Sequence, residues 1–133
     1  MRYKYIAYKY TRRSSPDASF QSMMESFSTW AVPSSVAWLP PTDVYETPDE
    51  IIVFMEIAGV REEDVTVTLF SDILVVEGNR IQPLLPEMNA CHRLGIKYGN
   101  FRSEVYIPYP VDHDEVNAEY HKGLLKITLK RTD

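Results

Sequence analysis

From residue 42 onward, apolar residues fall at every second position in short runs, and Gly, Pro, Asp or Ser interrupts the runs. Val65, Val67 and Leu69 alternate with Thr66 and Thr68, while Leu125, Ile127 and Leu129 alternate with Lys126, Thr128 and Lys130. A repeat of two belongs to a strand with one buried face, because successive side chains point to opposite sides. The pattern predicts strands over residues 42–47, 51–57, 65–70, 73–77, 101–107, 115–121 and 124–130. Pro48-Asp49-Glu50, Ala58-Gly59-Val60 and Ser71-Asp72 read as turns, and residues 78–97, with Pro83 and Pro86, read as one long connection. Lys122-Gly123 is a tight hairpin turn, since Gly accepts the positive φ such turns demand. Short strands with regular turn signals and no intervening helix imply an all-β protein, an antiparallel β-sandwich.

Residues 1–40 follow another rhythm. Phe20, Met23, Met24, Phe27 and Trp30 sit at helical spacing between Pro16 and Pro33, with Asp17 placed to cap. That predicts an amphipathic helix weakened by its Ser content, in an arm that is partly helical or disordered. Pro40-Pro41 then breaks the chain. The expected organisation is an arm over 1–40, a sandwich domain over 41–131 and a vestigial tail at 132–133.

Charge sharpens the division. The chain of 133 residues carries a net charge of −5. Arg2, Lys4, Lys9, Arg12 and Arg13 against Asp17 and Glu25 make the arm +3, which leaves −8 on the remainder. An acidic body disfavours nucleic acid and anionic lipid. The Tyr3, Tyr5, Tyr8 and Tyr10 series among basic residues could still stack on bases or meet headgroups. Pairing with the acidic domain or another subunit is the favoured reading, with a module binding anionic polymer as a rival.

No apolar run approaches the roughly 18–20 residues needed to cross a bilayer, so no stable membrane insertion is expected. The first residues lack a signal peptide's apolar segment, and the lone Cys91 excludes an internal disulfide. Both fit a cytoplasmic setting. Cys91 and His92 are adjacent and would project to opposite faces of a strand, which argues against a shared metal. No phosphate loop, nucleophile elbow or His-Glu-x-x-His helix is present, so neither enzyme activity nor a cofactor is expected.

Five short motifs carry a family resemblance. Pro41-Thr42-Asp43-Val44-Tyr45-Glu46-Thr47, Ala58-Gly59-Val60-Arg61-Glu62-Glu63-Asp64-Val65 and Asp72-Ile73-Leu74-Val75-Val76-Glu77-Gly78-Asn79-Arg80 come first. Tyr98-Gly99-Asn100-Phe101 with Ile107-Pro108, and Ala118 through Gly123-Leu124-Leu125, complete the series. In this order they resemble the alpha-crystallin domain of small heat-shock proteins of bacterial and plant type, over residues 38–130. The resemblance implies an immunoglobulin-like β-sandwich and an ATP-independent holdase that binds unfolding client proteins. It implies an edge groove bordered by Val65, Val67 and Leu69 and by the Val116-Ala118-Tyr120 strand. The arm residues Phe20, Met23, Met24, Phe27 and Trp30 form a second expected capture surface, because flexible Met suits promiscuous contact.

The resemblance further implies a strand-swapped homodimer, in which His92, Arg93 and Leu94 of the long loop add beside Val44, Tyr45 and Glu46 of a partner. Two features depart from the family. Ser103 stands where an Arg is usual, with Arg102 one position earlier on the opposite face, and no Ile-x-Ile motif follows the last strand. Higher assembly is therefore expected to fall to the arm. A CS-domain-like co-chaperone adaptor, docking on one folded partner, is the alternative.

Overall fold

Eight strands form among residues 6–10 and 36–132, the part of the computed structural model described here: β1 (Ile6–Tyr10), β2 (Thr42–Glu46), β3 (Glu50–Glu56), β4 (Val65–Phe70), β5 (Ile73–Arg80), β6 (Gly99–Tyr106), β7 (Val111–His121) and β8 (Leu124–Arg131). They make two four-stranded sheets, ordered β2-β3-β8-β7 and β1-β4-β5-β6. Every pairing is antiparallel except β1 with β4. The chain crosses between sheets at Ala58-Gly59 with the 3-10 turn Glu62–Asp64, and again at residues 107–110.

The alternation decides which side chains meet. In the first sheet Ile51, Val53 and Met55 stand opposite Leu129, Ile127 and Leu125, and all six are buried. In the second, Val67 and Leu69 stand opposite Val76 and Leu74. These residues join one core cluster with Trp38, Ile57, Phe101, Ile107 and Ala118. Each such aliphatic side chain contributes about 1.5–3 kcal/mol on burial. The sandwich is an expected outcome of the pattern.

Turn chemistry also follows the sequence. Lys122 and Gly123 both take positive φ, 52° and 85°, the geometry that matches the twist of a two-residue hairpin. The Thr47 hydroxyl accepts from the backbone N–H of Glu50 at 2.9 Å and closes the turn between β2 and β3.

Three expectations need correction. The arm contains a strand, β1, where sequence periodicity implied helix or disorder. Strand β5 runs on to Arg80, past Gly78, because its partner β6 continues to Gly99. Strand β7 begins at Val111 rather than 115, with a register irregularity between Val111 and Val116 that hides the alternation. The helix expected over 17–30, with Phe20, Met23, Met24, Phe27 and Trp30, lies outside the described residues.

Candidate functional site

Strand β4 was expected to offer Val65, Val67 and Leu69 to a groove. All three are buried, Val67 and Leu69 at 0% exposure, and they belong to the core cluster. The reason is geometric: a sandwich strand must turn one face inward, and this is that face. What β4 can offer another chain is its backbone edge. That edge is already taken. Strand β1 runs parallel to it, with Ile6 opposite Val67, Ala7 opposite Thr68, Tyr8 opposite Leu69 and Tyr10 opposite Phe70. It also lies against β7, the outer strand of the other sheet. The chain's own N-terminal segment thus fills the cleft between the two edges.

On the β7 side, Ala118 is buried, while Val116 and Tyr120 pack partly buried against the core. The Tyr120 hydroxyl donates to the backbone carbonyl of Ile57 at 2.8 Å. Burial, as the leading cause, raises its pKa above the ordinary phenol value, and the nearby Glu56 and Glu62 charges add to this. The folded state therefore holds this proton more tightly than the unfolded chain. Its contribution is present below pH 10 and is lost as pH rises through the raised pKa. In denaturant titrations from pH 8 to beyond this range, Tyr120→Phe should flatten the alkaline decline. An equal decline in wild type and variant would rule this out.

The second edge is β2. Val44, Tyr45 and Glu46 are exposed, and within the chain β2 pairs only with β3. The Tyr45 ring meets Phe54 edge-on at 6.0 Å, and Glu46 accepts from Arg131 at 2.9 Å. Residues 81–98, which carry His92, Arg93 and Leu94, form no strand within the chain, and those three side chains are exposed. Among the described residues, six of the eleven exposed large apolar side chains stand on this loop: Ile81, Leu84, Leu85, Met88, Leu94 and Ile96. Leu84 reaches 91% exposure and Leu94 75%. An ordinary solvent loop has no use for such a set.

The loop is anchored by a cluster that sequence reasoning did not assign. The Arg80 guanidinium lies 3.9 Å over the Trp38 ring, its Nε donates to the Lys97 carbonyl at 2.8 Å, and its terminal nitrogen donates to the Ala58 carbonyl at 3.1 Å. Trp38 Nε1 donates to the Gly99 carbonyl at 2.9 Å, and its ring meets Phe101 edge-on at 5.2 Å. One arginine thus ties both ends of the loop to the first turn of the sandwich. A cleft of about 740 Å³, bounded by Leu39, Ile81, Ile96 and Tyr98, opens beside it. The signal was the Gly78-x-Arg80 motif, whose spacing places the arginine on the face opposite an odd-numbered neighbour but does not reveal its three partners.

At the family arginine position, Phe101 turns inward and Ser103 shares its alternation, while Arg102 pairs with Glu104 at 3.0 Å. Cys91 is exposed on the loop and its thiol meets Met88 Sδ at 3.2 Å. Among the described residues no group of three or more His, Cys, Asp and Glu gathers at one place. Among the same residues no helix is long and apolar enough to cross a membrane.

The Hsp20/alpha crystallin family model matches residues 43–133. Small heat shock protein C2 of Rickettsia felis is 25% identical over 124 residues, covering 92% of this chain and 80% of its own length. Heat shock protein 16 of Schizosaccharomyces pombe is 30% identical over 96 residues, covering 71% and 67%. The solved structure of heat shock protein 16.0 from the same yeast superimposes with a TM-score of 0.66 at 31% identity, over 72% of this chain and 89% of that one. A small heat-shock protein from Xylella fastidiosa, described as having a distinct high order structure, shares the fold with a TM-score of 0.66 at 23% identity.

Proposed function

Because the chain belongs to the Hsp20/alpha-crystallin family, we propose that it is an ATP-independent holdase, which binds unfolding proteins and hides their apolar surface. The observation that carries this reading is the set of exposed apolar side chains on the 81–98 loop, together with a sheet edge at β2 that has no outer neighbour within the chain. Such surfaces need no chemistry to act. They hold apolar segments through area burial and extended segments through backbone hydrogen bonds. Ordering costs offset much of the gain, so capture is weak and reversible. The arm residues Phe20, Met23, Met24, Phe27 and Trp30 add a flexible apolar surface, and β4 with Val65, Val67 and Leu69 contributes its edge rather than its side chains.

The minimal unit in this reading is a homodimer. The loop of one copy, through His92, Arg93 and Leu94, adds beside Val44, Tyr45 and Glu46 of the other. Both surfaces are apolar and exposed in the single chain, and joining them removes two edge liabilities at once. Leu94→Asp should shift the dimer toward monomer, because it places a charge in a desolvated contact. Sedimentation at micromolar concentration reads this directly; an unchanged mass would remove the loop from the interface.

The test of the function itself is light scattering from a heat-unfolding client protein, without nucleotide, at several subunit ratios. Suppressed aggregation near stoichiometric ratios is the expected result. Undiminished scattering would overturn the holdase reading.

A further inference from the structure

Beyond client capture and the loop-mediated dimer, we infer that the β4 edge is an assembly site whose occupant, the Ile6–Tyr10 segment, is exchanged between copies of this chain. The starting point is that β1 is the one strand joined in parallel, to an otherwise antiparallel sandwich. A hairpin cannot make that pairing, so no tight turn forces β1 onto the β4 of its own molecule. The 25 residues 11–35 separate β1 from the next described segment. At full extension a chain of that length spans about 80 Å, several times the width of a small domain. The connection leaves the choice of molecule open.

The pairing itself is short. Its register shifts between Tyr8 and Tyr10, so Lys9 is the extra residue of a bulge, and bulges end ladders. A few parallel pairs hold β1 loosely enough to leave, yet the edge left behind would be a row of unpaired backbone groups. The lowest-cost replacement is an identical strand from another copy, which restores every bond that was lost. Reciprocal exchange closes a dimer, whereas one-way exchange builds a ring or a series. The β4 edge lies in the other sheet from β2, so a copy can use both contacts at once. Assembly past the dimer then needs no additional segment.

Cross-linking of full-length protein tests the exchange, and it rests on the β1–β4 pairing rather than on holdase activity. On a Cys91→Ser background, one preparation carries Ala7→Cys and a second, isotope-labelled, carries Thr66→Cys, an exposed position on β4. The two are mixed and treated with a short bismaleimide. Mixed-isotope adducts are expected at roughly tenfold the yield of a control in which Lys130→Cys replaces Thr66→Cys, reflecting local against bulk concentration. Adding Tyr8→Pro to the Ala7→Cys copy should remove that excess, because proline cannot donate to the ladder. A chain carrying both cysteines that links only within itself, while the mixture stays at the control level, overturns the exchange. Absence of both intra- and intermolecular links overturns it as well, since β1 would then not lie on β4.

Discussion

Replacing Phe101 by Ala lowers the stability of the sandwich by roughly 3–5 kcal/mol, the cost of emptying an aromatic core site that cannot collapse. The site is rigid for reasons that span both sheets and the loop. Phe101 is buried, stands opposite Gly78 across β5 and β6, and meets the Trp38 ring at 5.2 Å. Gly78 leaves the room that the ring fills: a Cβ there would lie 2.6 Å from Phe101 Cζ and 2.8 Å from the Asp64 carbonyl oxygen. Trp38 in turn carries the Arg80 guanidinium on its face. Loss of the Phe101 ring therefore also loosens the anchor of the 81–98 loop. Guanidinium unfolding measures the stability change, and a red shift of Trp38 fluorescence reports the loosened anchor. A loss below about 1 kcal/mol would mean that the neighbours close over the space.

Gly123→Val destabilises by about 2–5 kcal/mol, through two separable effects. The residue sits at φ 85°, where a side chain costs roughly 1–2 kcal/mol, most for a β-branched one. Its Cβ would also come within 2.7 Å of Ala58 Cβ and 3.1 Å of Ala58 Cα, and overpacking of that kind costs about 1–3 kcal/mol. The close approach is built in, because the Ile57 N–H donates to the Gly123 carbonyl at 2.9 Å and draws the hairpin onto the first turn of the sandwich. A cycle with Gly123→Ala and Ala58→Gly separates the two effects. The double variant should recover the clash and keep the cost of the positive φ. Full recovery would show that the backbone conformation carries no cost.

Most of the sandwich was legible in the chain, and the reason is local. Val65–Phe70 reads correctly because Val65, Val67 and Leu69 face one way and alternate cleanly with threonines. The hairpin of β7 and β8 reads from Lys122-Gly123 because a two-residue turn leaves few alternatives. Where alternation lapses, so does the reading. Val111 was missed as the start of β7, since the residues before Val116 are mostly polar and pair irregularly with β8.

The candidate site was less legible, because burial depends on what packs from the other side. An apolar stripe such as Val65, Val67 and Leu69 looks the same in sequence whether it faces a groove or a core. Arg80 carries no sequence mark of its contacts with Trp38, Lys97 and Ala58, which lie 42, 17 and 22 positions away. The tyrosine-rich start of the chain suggested charge and stacking, and its Ile6-x-Tyr8-x-Tyr10 alternation went unread as a strand.

The amino-acid sequence by itself determined the strands, the tight turns and the family, since each follows from neighbours a few residues apart or from motifs in a set order. Tertiary structure alone decided which apolar face became core, what holds the long loop, and which segment lies along the β4 edge. Those outcomes depend on contacts between distant parts of the chain, and nothing in the local period of two distinguishes a partner strand from open solvent.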